Sequence, residues 1–205
     1  MISSKFNFFF LLLLHASLFP YNFLDRLNVP IFISSSFSSG YDTNIFRLSE
    51  FERDFEYNKK IPTINSDYFD DFYVSPKVSI KYSPYILKKD FLGIDKTQFN
   101  FSLSRTQYIS TEEKSYNIIF SEFGVKFGPY NWIKIHHRML PDYYLRNYID
   151  QDSNSSKYSP SIFSSESFGA SYSNRLGRSV WFRCKYTKTN LYYNVDFTEF
   201  DTEIK

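Results

Sequence analysis

The sequence has very little alanine and few residues that could form disulfides or bind metals. Only two of its 205 residues are alanine, and it contains one cysteine and three histidines. Because alanine is the strongest helix former, its scarcity argues against a helical bundle. A lone Cys184 excludes an intramolecular disulfide. The adjacent His136 and His137 are expected on opposite faces of a strand, where they cannot share one ion. We therefore predict no metal site.

Charge and composition exclude further classes of protein. The net charge of +2 at pH 7 is too small to indicate nucleic-acid binding. A hydrophobic content of 42% and a mean hydropathy of -0.39 fit neither a helical membrane protein nor a disordered chain. Aromatic residues make up 21% of the chain, with 24 Phe and 18 Tyr, and such side chains favour pleated sheets. The composition predicts an all-β protein.

No catalytic motif is visible in the sequence. It contains no G-x-S-x-G, no glycine-rich phosphate loop and no spacing typical of metal ligands. His136 combined with a serine is formally possible, but serine is so frequent that the coincidence carries no weight. We predict no catalytic residue, no cofactor and no enzymatic activity.

Residues 1–17 are predicted to be a signal peptide. Lys5 supplies the positive charge, residues 6–14 form the apolar stretch, and Ala16 lies where a signal peptidase would cleave. The alternative is an uncleaved membrane helix reaching Leu24, but polar residues and Pro20 interrupt that stretch. Residues 18–205 are then predicted to form one exported domain.

The remainder of the chain alternates between polar and apolar residues with the period of a β-strand. A change of phase between Phe120 and Phe123 predicts a β-bulge. Residues 202–205 resemble the start of an eighth strand, and the alternative eighth strand is 191–200 after a turn at 188–190. The predicted strands begin at Val29, Phe72, Phe99, Ser115, Trp132, Ser161 and Ser179.

The connections and the tyrosines indicate where such a sheet would lie. Tight turns are predicted at 128–131 and 174–178, and long connections at 40–71, 149–160 and 194–201, with 83–97 as the exception. Short turns on one side, long loops on the other, and Tyr and Trp near strand ends are typical of an outer-membrane barrel.

The segment Gly40-Tyr41-Asp42-Thr43-Asn44-Ile45-Phe46-Arg47 resembles Gram-negative outer-membrane β-barrel proteins, several of which open with a Gly-Tyr-Asp-Ser-Asn-Val-like stretch. Thr43 and Ile45 are conservative departures from it. The resemblance implies an antiparallel up-and-down transmembrane β-barrel in the outer membrane, in contact with the lipid bilayer and inserted by the barrel assembly machinery. Such barrels usually end on an aromatic residue, whereas this chain ends at Lys205, which favours an incomplete barrel.

The alternation assigns each strand residue to one of two faces. The predicted lipid-facing residues are Val74, Val78, Ile80, Phe99, Phe101, Ile133, Ile135, Phe182 and Tyr186. The predicted basic residues of the lumen are Lys77, Lys81, Lys126, Lys134, Arg138, Arg183 and Lys185.

Two alternatives accompany this assignment of faces. The basic residues either attract anions or pair with acids across the lumen, and the acidic loop 50–71 either binds Ca²⁺ or is simply solvated.

The expected function is a structural or porin-like passive role. The alternative is a secreted or periplasmic soluble β-sandwich or barrel that binds a small ligand or glycan, with the apolar face turned inward.

Overall fold

The structure is a computed structural model that describes residues 30–53, 69–84, 93–149, 158–177 and 179–205. One antiparallel sheet contains eight strands in sequence order. They are β1 (Ile31–Asp42), β2 (Asp71–Tyr82), β3 (Ile94–Tyr108), β4 (Tyr116–Phe127), β5 (Asn131–Ile149), β6 (Tyr158–Leu176), β7 (Val180–Tyr193) and β8 (Thr202–Ile204). The described residues are mostly β, and the predicted antiparallel up-and-down order of the strands is confirmed. The predicted signal peptide, residues 1–17, lies outside the described residues.

The sheet is not closed into a barrel. Within the described ranges β1 pairs only with β2, and β8 pairs only with β7. One edge of β1 and one edge of β8 therefore have no strand partner in this part of the chain.

Two local predictions are wrong. Residues 191–200 are not a strand, because β7 stays paired with β6 as far as Tyr193 and a 3₁₀ helix, Val195–Phe200, follows. That unbroken pairing also excludes a turn at 188–190. The short β8 starts at Thr202, as the other interpretation predicted.

The predicted β-bulge between Phe120 and Phe123 is also absent. The pairing of β3 with β4 runs without interruption through Ser102–Phe120 and Phe99–Phe123. Phe120 and Phe123 simply lie on opposite faces of a regular strand, and the Phe120 ring lies against His136. The register irregularities fall elsewhere: in β5, between Leu140 and Tyr143 and between Tyr144 and Arg146, and at the start of β3, between Ile94 and Lys96.

The two ends of the strands differ in their connections. The end with the tight β4–β5 and β6–β7 turns is called the turn end, and Gly128 (φ 59°) and Gly177 (φ 74°) adopt there a conformation that other residues rarely reach. The opposite end, where β1, β3, β5 and β7 finish, is called the loop end. The hydrophobic core lies at the loop end and consists of Ile45, Phe46, Leu48, Tyr108 and Tyr144, packed against Phe69, Tyr73, Tyr116 and Ile162.

Candidate functional site

The strand register gives the sheet one polar and one apolar face. Directly paired residues share a face, so each pairing extends a face to the next strand. The polar face carries the predicted lumen residues Lys77, Lys81, Lys126, Lys134, Arg138, Arg183 and Lys185. The apolar face carries the predicted lipid-facing residues Val74, Val78, Ile80, Phe99, Phe101, Ile133, Ile135, Phe182 and Tyr186. Contact of the apolar face with lipid, and of the polar face with a lumen, stays a prediction.

The histidine pair divides between the two faces. His136 pairs with Glu122 and Gly169 on the polar face, and His137 pairs with Ser121 and Phe168 on the apolar face. The prediction of opposite faces is confirmed.

The apolar face is exposed. Ile135 is 55% exposed, Phe168 53% and Tyr186 56%, although Ile135 and Phe168 lie in strands that are paired on both sides. Other large hydrophobic residues on this face are also exposed: Ile33, Phe37, Phe72, Ile80, Phe99, Phe101, Phe123, Ile133, Tyr172 and Phe182. A contiguous apolar surface of this kind usually marks an interaction with a membrane or another protein.

The apolar band crosses the strands obliquely. Successive strand pairings connect Ile80 of β2 with Lys188 of β7 along one line across the sheet. The residues between them on that line are Phe101, Ser121, His137 and Phe168. From Ile80 the apolar residues of β2 continue towards the loop end as far as Phe72, whereas those of β7 run from Tyr186 towards the turn end as far as Val180. The band therefore moves towards the turn end from β2 to β7.

Polar interactions border this band on the side of the loop end. The ring of His137 makes a 2.9 Å contact with the carboxylate of Glu166 and stacks on Phe168. Arg105 donates to the side chain of Gln107 at 2.9 Å. These groups satisfy one another, so this border of the band carries paired rather than isolated polar side chains.

Basic side chains outnumber acidic ones on the polar face. In addition to the predicted residues, Lys96 and Arg175 lie there. Lys96 was not among the predicted residues because β3 begins at Ile94, before the predicted start at Phe99. Away from the loop end the face has a single carboxylate among the described strands, Glu122, which accepts from Lys134 at 2.9 Å and from Asn100 at 3.0 Å. The other predicted lumen bases form no ion pair with a described residue.

The acidic residues at the loop end hold the connections in place. Asp71 accepts the backbone N–H groups of Ser110 and Thr111, both at 2.8 Å. Glu52 accepts from Arg146 at 3.0 Å and from the backbone N–H of Ser49 at 2.8 Å. These described carboxylates of the proposed Ca²⁺ loop, 50–71, are thus occupied by protein donors, and residues 54–68 of that loop lie outside the described residues.

A buried lysine, which the sequence did not indicate, lies beneath the connection that follows β1. Lys114 has no exposed surface, and its Nζ donates to the carbonyl oxygens of Tyr144 at 3.0 Å and Leu145 at 2.8 Å. The same Nζ lies 5.1 Å from the ring centre of Phe46 and 4.9 Å from that of Tyr143. Burial, and then the charge of Arg47, lowers the pKa of Lys114 to about 8.

Neither side-chain clusters of the described residues nor similarity to known proteins assigns a function. No group of three His, Cys, Asp or Glu side chains suited to a metal ion occurs among the described residues. In the same ranges, no helix has the length and apolar character needed to cross a membrane. No family model, curated protein or solved structure matches the chain.

Proposed function

We propose that this chain forms part of the wall of an outer-membrane β-barrel with a structural or porin-like passive role. The apolar face contacts lipid and the basic polar face lines the interior. The observation that carries the proposal is the continuous exposed apolar face, which no described residue covers. In water such a face is unfavourable, whereas lipid accepts it.

The oblique course of the apolar band supports lipid as its environment. Strands of membrane barrels tilt by roughly 35–45° from the membrane normal. A band parallel to the membrane plane must therefore cross successive strands at shifted positions, as the band does between Phe72 on β2 and Val180 on β7.

The burial pattern disfavours the soluble alternative. A soluble sandwich or small barrel buries the apolar side of its strands. Here Ile135, in the middle of the sheet, is 55% exposed, and the hydrophobic core lies instead at the loop end around Phe46.

The free edges of β1 and β8 add a requirement to the proposal. Unpaired backbone groups in lipid cost several kcal/mol each, so a membrane wall must have its edges paired. The proposal therefore requires that both edges be paired in the membrane, with each other or with strands outside the described ranges.

The test places acids on one face or the other. The variant V78D/I135D puts two carboxylates on the apolar face, one in β2 and one in β5. The control S79D/S171D puts two on the polar face, one in β2 and one in β6, the strand next to β5. An acidic side chain in the lipid-facing band costs up to about 2 kcal/mol. The full chain and both variants are expressed in a Gram-negative host, and outer membranes are extracted with detergent and analysed for heat-modifiable migration.

We expect the wild type and S79D/S171D in the outer-membrane extract, and loss of V78D/I135D from it. Recovery of the wild type in the soluble fraction would support a soluble ligand-binding protein instead. Normal insertion of V78D/I135D would show that lipid does not contact this face.

A further inference from the structure

The turn end of the polar face carries a group of basic residues, here called the basic cluster: Lys96, Lys126, Lys134, Arg183 and Lys185. Lys96 and Lys126 are directly paired across β3 and β4. Lys134 and Lys185 pair with Ser171 from its two sides, so a single serine separates them across the sheet. Arg183 lies two residues from Lys185 on the same face. The cluster thus spans β3 to β7.

The positive charge of this cluster has little compensation within the described residues. Like charges that face each other directly across two strands destabilise a sheet. Glu122 neutralises Lys134, and no described acid forms an ion pair with the other members. An arrangement that repels itself is stabilised by any anion that binds to it.

Small residues leave space between the basic side chains. Ser171 lies between Lys134 and Lys185, Ser173 lies between Trp132 and Arg183, and Gly124 lies opposite Lys134. A Cβ at Gly124 would lie 3.3 Å from the Cγ of Lys134, so the glycine allows that side chain to lie close to the sheet. The serine hydroxyls add hydrogen-bond donors to the floor of the cluster.

We propose that the basic cluster binds multivalent oxyanions, meaning solutes that carry phosphate groups or several carboxylates. Lysine and arginine form charge-assisted hydrogen bonds to such oxygens, and one multivalent anion relieves several repulsions together. The inference rests on the proposed function, since it takes the polar face to be the interior of a barrel. It refines the passive role to one that selects anions.

The test uses the full chain folded in detergent, with heat-modifiable migration as the check of folding, and pyrophosphate as the probe. Binding is measured by titration calorimetry at low and high salt. The variant K126Q/K185Q removes two members of the cluster, while K77Q/K188Q removes the same charge outside it. Lys77 lies in the middle of β2, which contributes no residue to the cluster, and Lys188 lies on the apolar face, where it pairs with Glu203. Loss of two charge-assisted bonds is expected to weaken binding by at least about tenfold.

We expect pyrophosphate to bind the wild type, to bind more weakly at high salt, and to lose affinity in K126Q/K185Q but not in K77Q/K188Q. If K126Q/K185Q does not fold, the single variants K126Q and K185Q replace it. Absence of binding to the folded wild type, or equal weakening in both double variants, would overturn the anion site and leave the barrel proposal intact. Failure of the wild type to enter outer membranes would instead overturn the barrel proposal itself.

Discussion

The two ends of the sheet use the same residue types in opposite ways. At the loop end Phe46 is 1% exposed and packs among tyrosines, whereas Phe168 on the apolar face is 53% exposed. Lys114 is buried against carbonyl oxygens and aromatic rings, whereas Lys126 near the turn end directly faces Lys96. The loop end therefore supplies its own packing. The strands towards the turn end leave their apolar face for the surroundings to cover.

The largest expected difference between the ends concerns phenylalanine. Phe46→Ala removes a ring from the closed core and is expected to lower the free energy of unfolding by about 3–5 kcal/mol. Phe168→Ala removes a ring that the proposal places in lipid, so it loses the transfer of that ring from water to lipid but leaves no cavity, and the expected loss is smaller, about 1–2 kcal/mol. Urea unfolding of the chain folded in lipid vesicles, followed by tryptophan fluorescence, measures both. Equal losses would contradict the assignment of the core to the loop end.

The next effect is the pH dependence that Lys114 confers. Its pKa lies at about 8, below the ordinary 10.5, so between these values the unfolded chain binds more protons than the folded one. Stability must therefore rise with pH, by roughly 2 kcal/mol from pH 7.5 to 9.5. Below pH 7.5 both states hold the proton and this contribution is constant.

A comparison with Lys114→Met isolates this contribution. Methionine fills a similar volume without a titratable group, so the rise between pH 7.5 and 9.5 is expected to disappear in this variant. Urea unfolding at four pH values in that window measures it. Tyrosines of the unfolded chain begin to ionise near the top of the window, and their contribution is the same in both proteins, so the comparison removes it. An identical rise in the variant would show that another group causes it.

The strands and their two faces follow from the sequence because alternation is a local property. Phe72 to Tyr82 alternates throughout, and β2 lies there within one residue. The change of phase between Phe120 and Phe123 wrongly predicted a β-bulge, because a regular strand can carry aromatic residues first on one face and then on the other. The burial of Lys114 could not be predicted from a local sequence pattern, because it depends on Phe46 and Tyr144, which are distant in sequence. Such long-range contacts are not encoded in a local period.

The smallest expected effect tests how firmly the connection after β1 is held at the loop end. Glu52 joins that connection to Arg146 of β5, and its hydrogen bond from the backbone of Ser49, together with the charge of Arg146, lowers the pKa of Glu52. Its stabilising effect is thus complete above the ordinary carboxyl pKa and is lost as the pH falls through the lowered value.

Because Glu52 is 42% exposed, solvent screens the pair with Arg146, and Glu52→Gln is expected to cost only about 0.2–1 kcal/mol at pH 7. Glu50→Gln is the matched control, since Glu50 forms no ion pair with a described residue. Urea unfolding at pH 7 and pH 3 should show the Glu52→Gln deficit at pH 7 alone. A deficit that persists at pH 3 would mean that the introduced amide destabilises the chain by something other than removal of a charge.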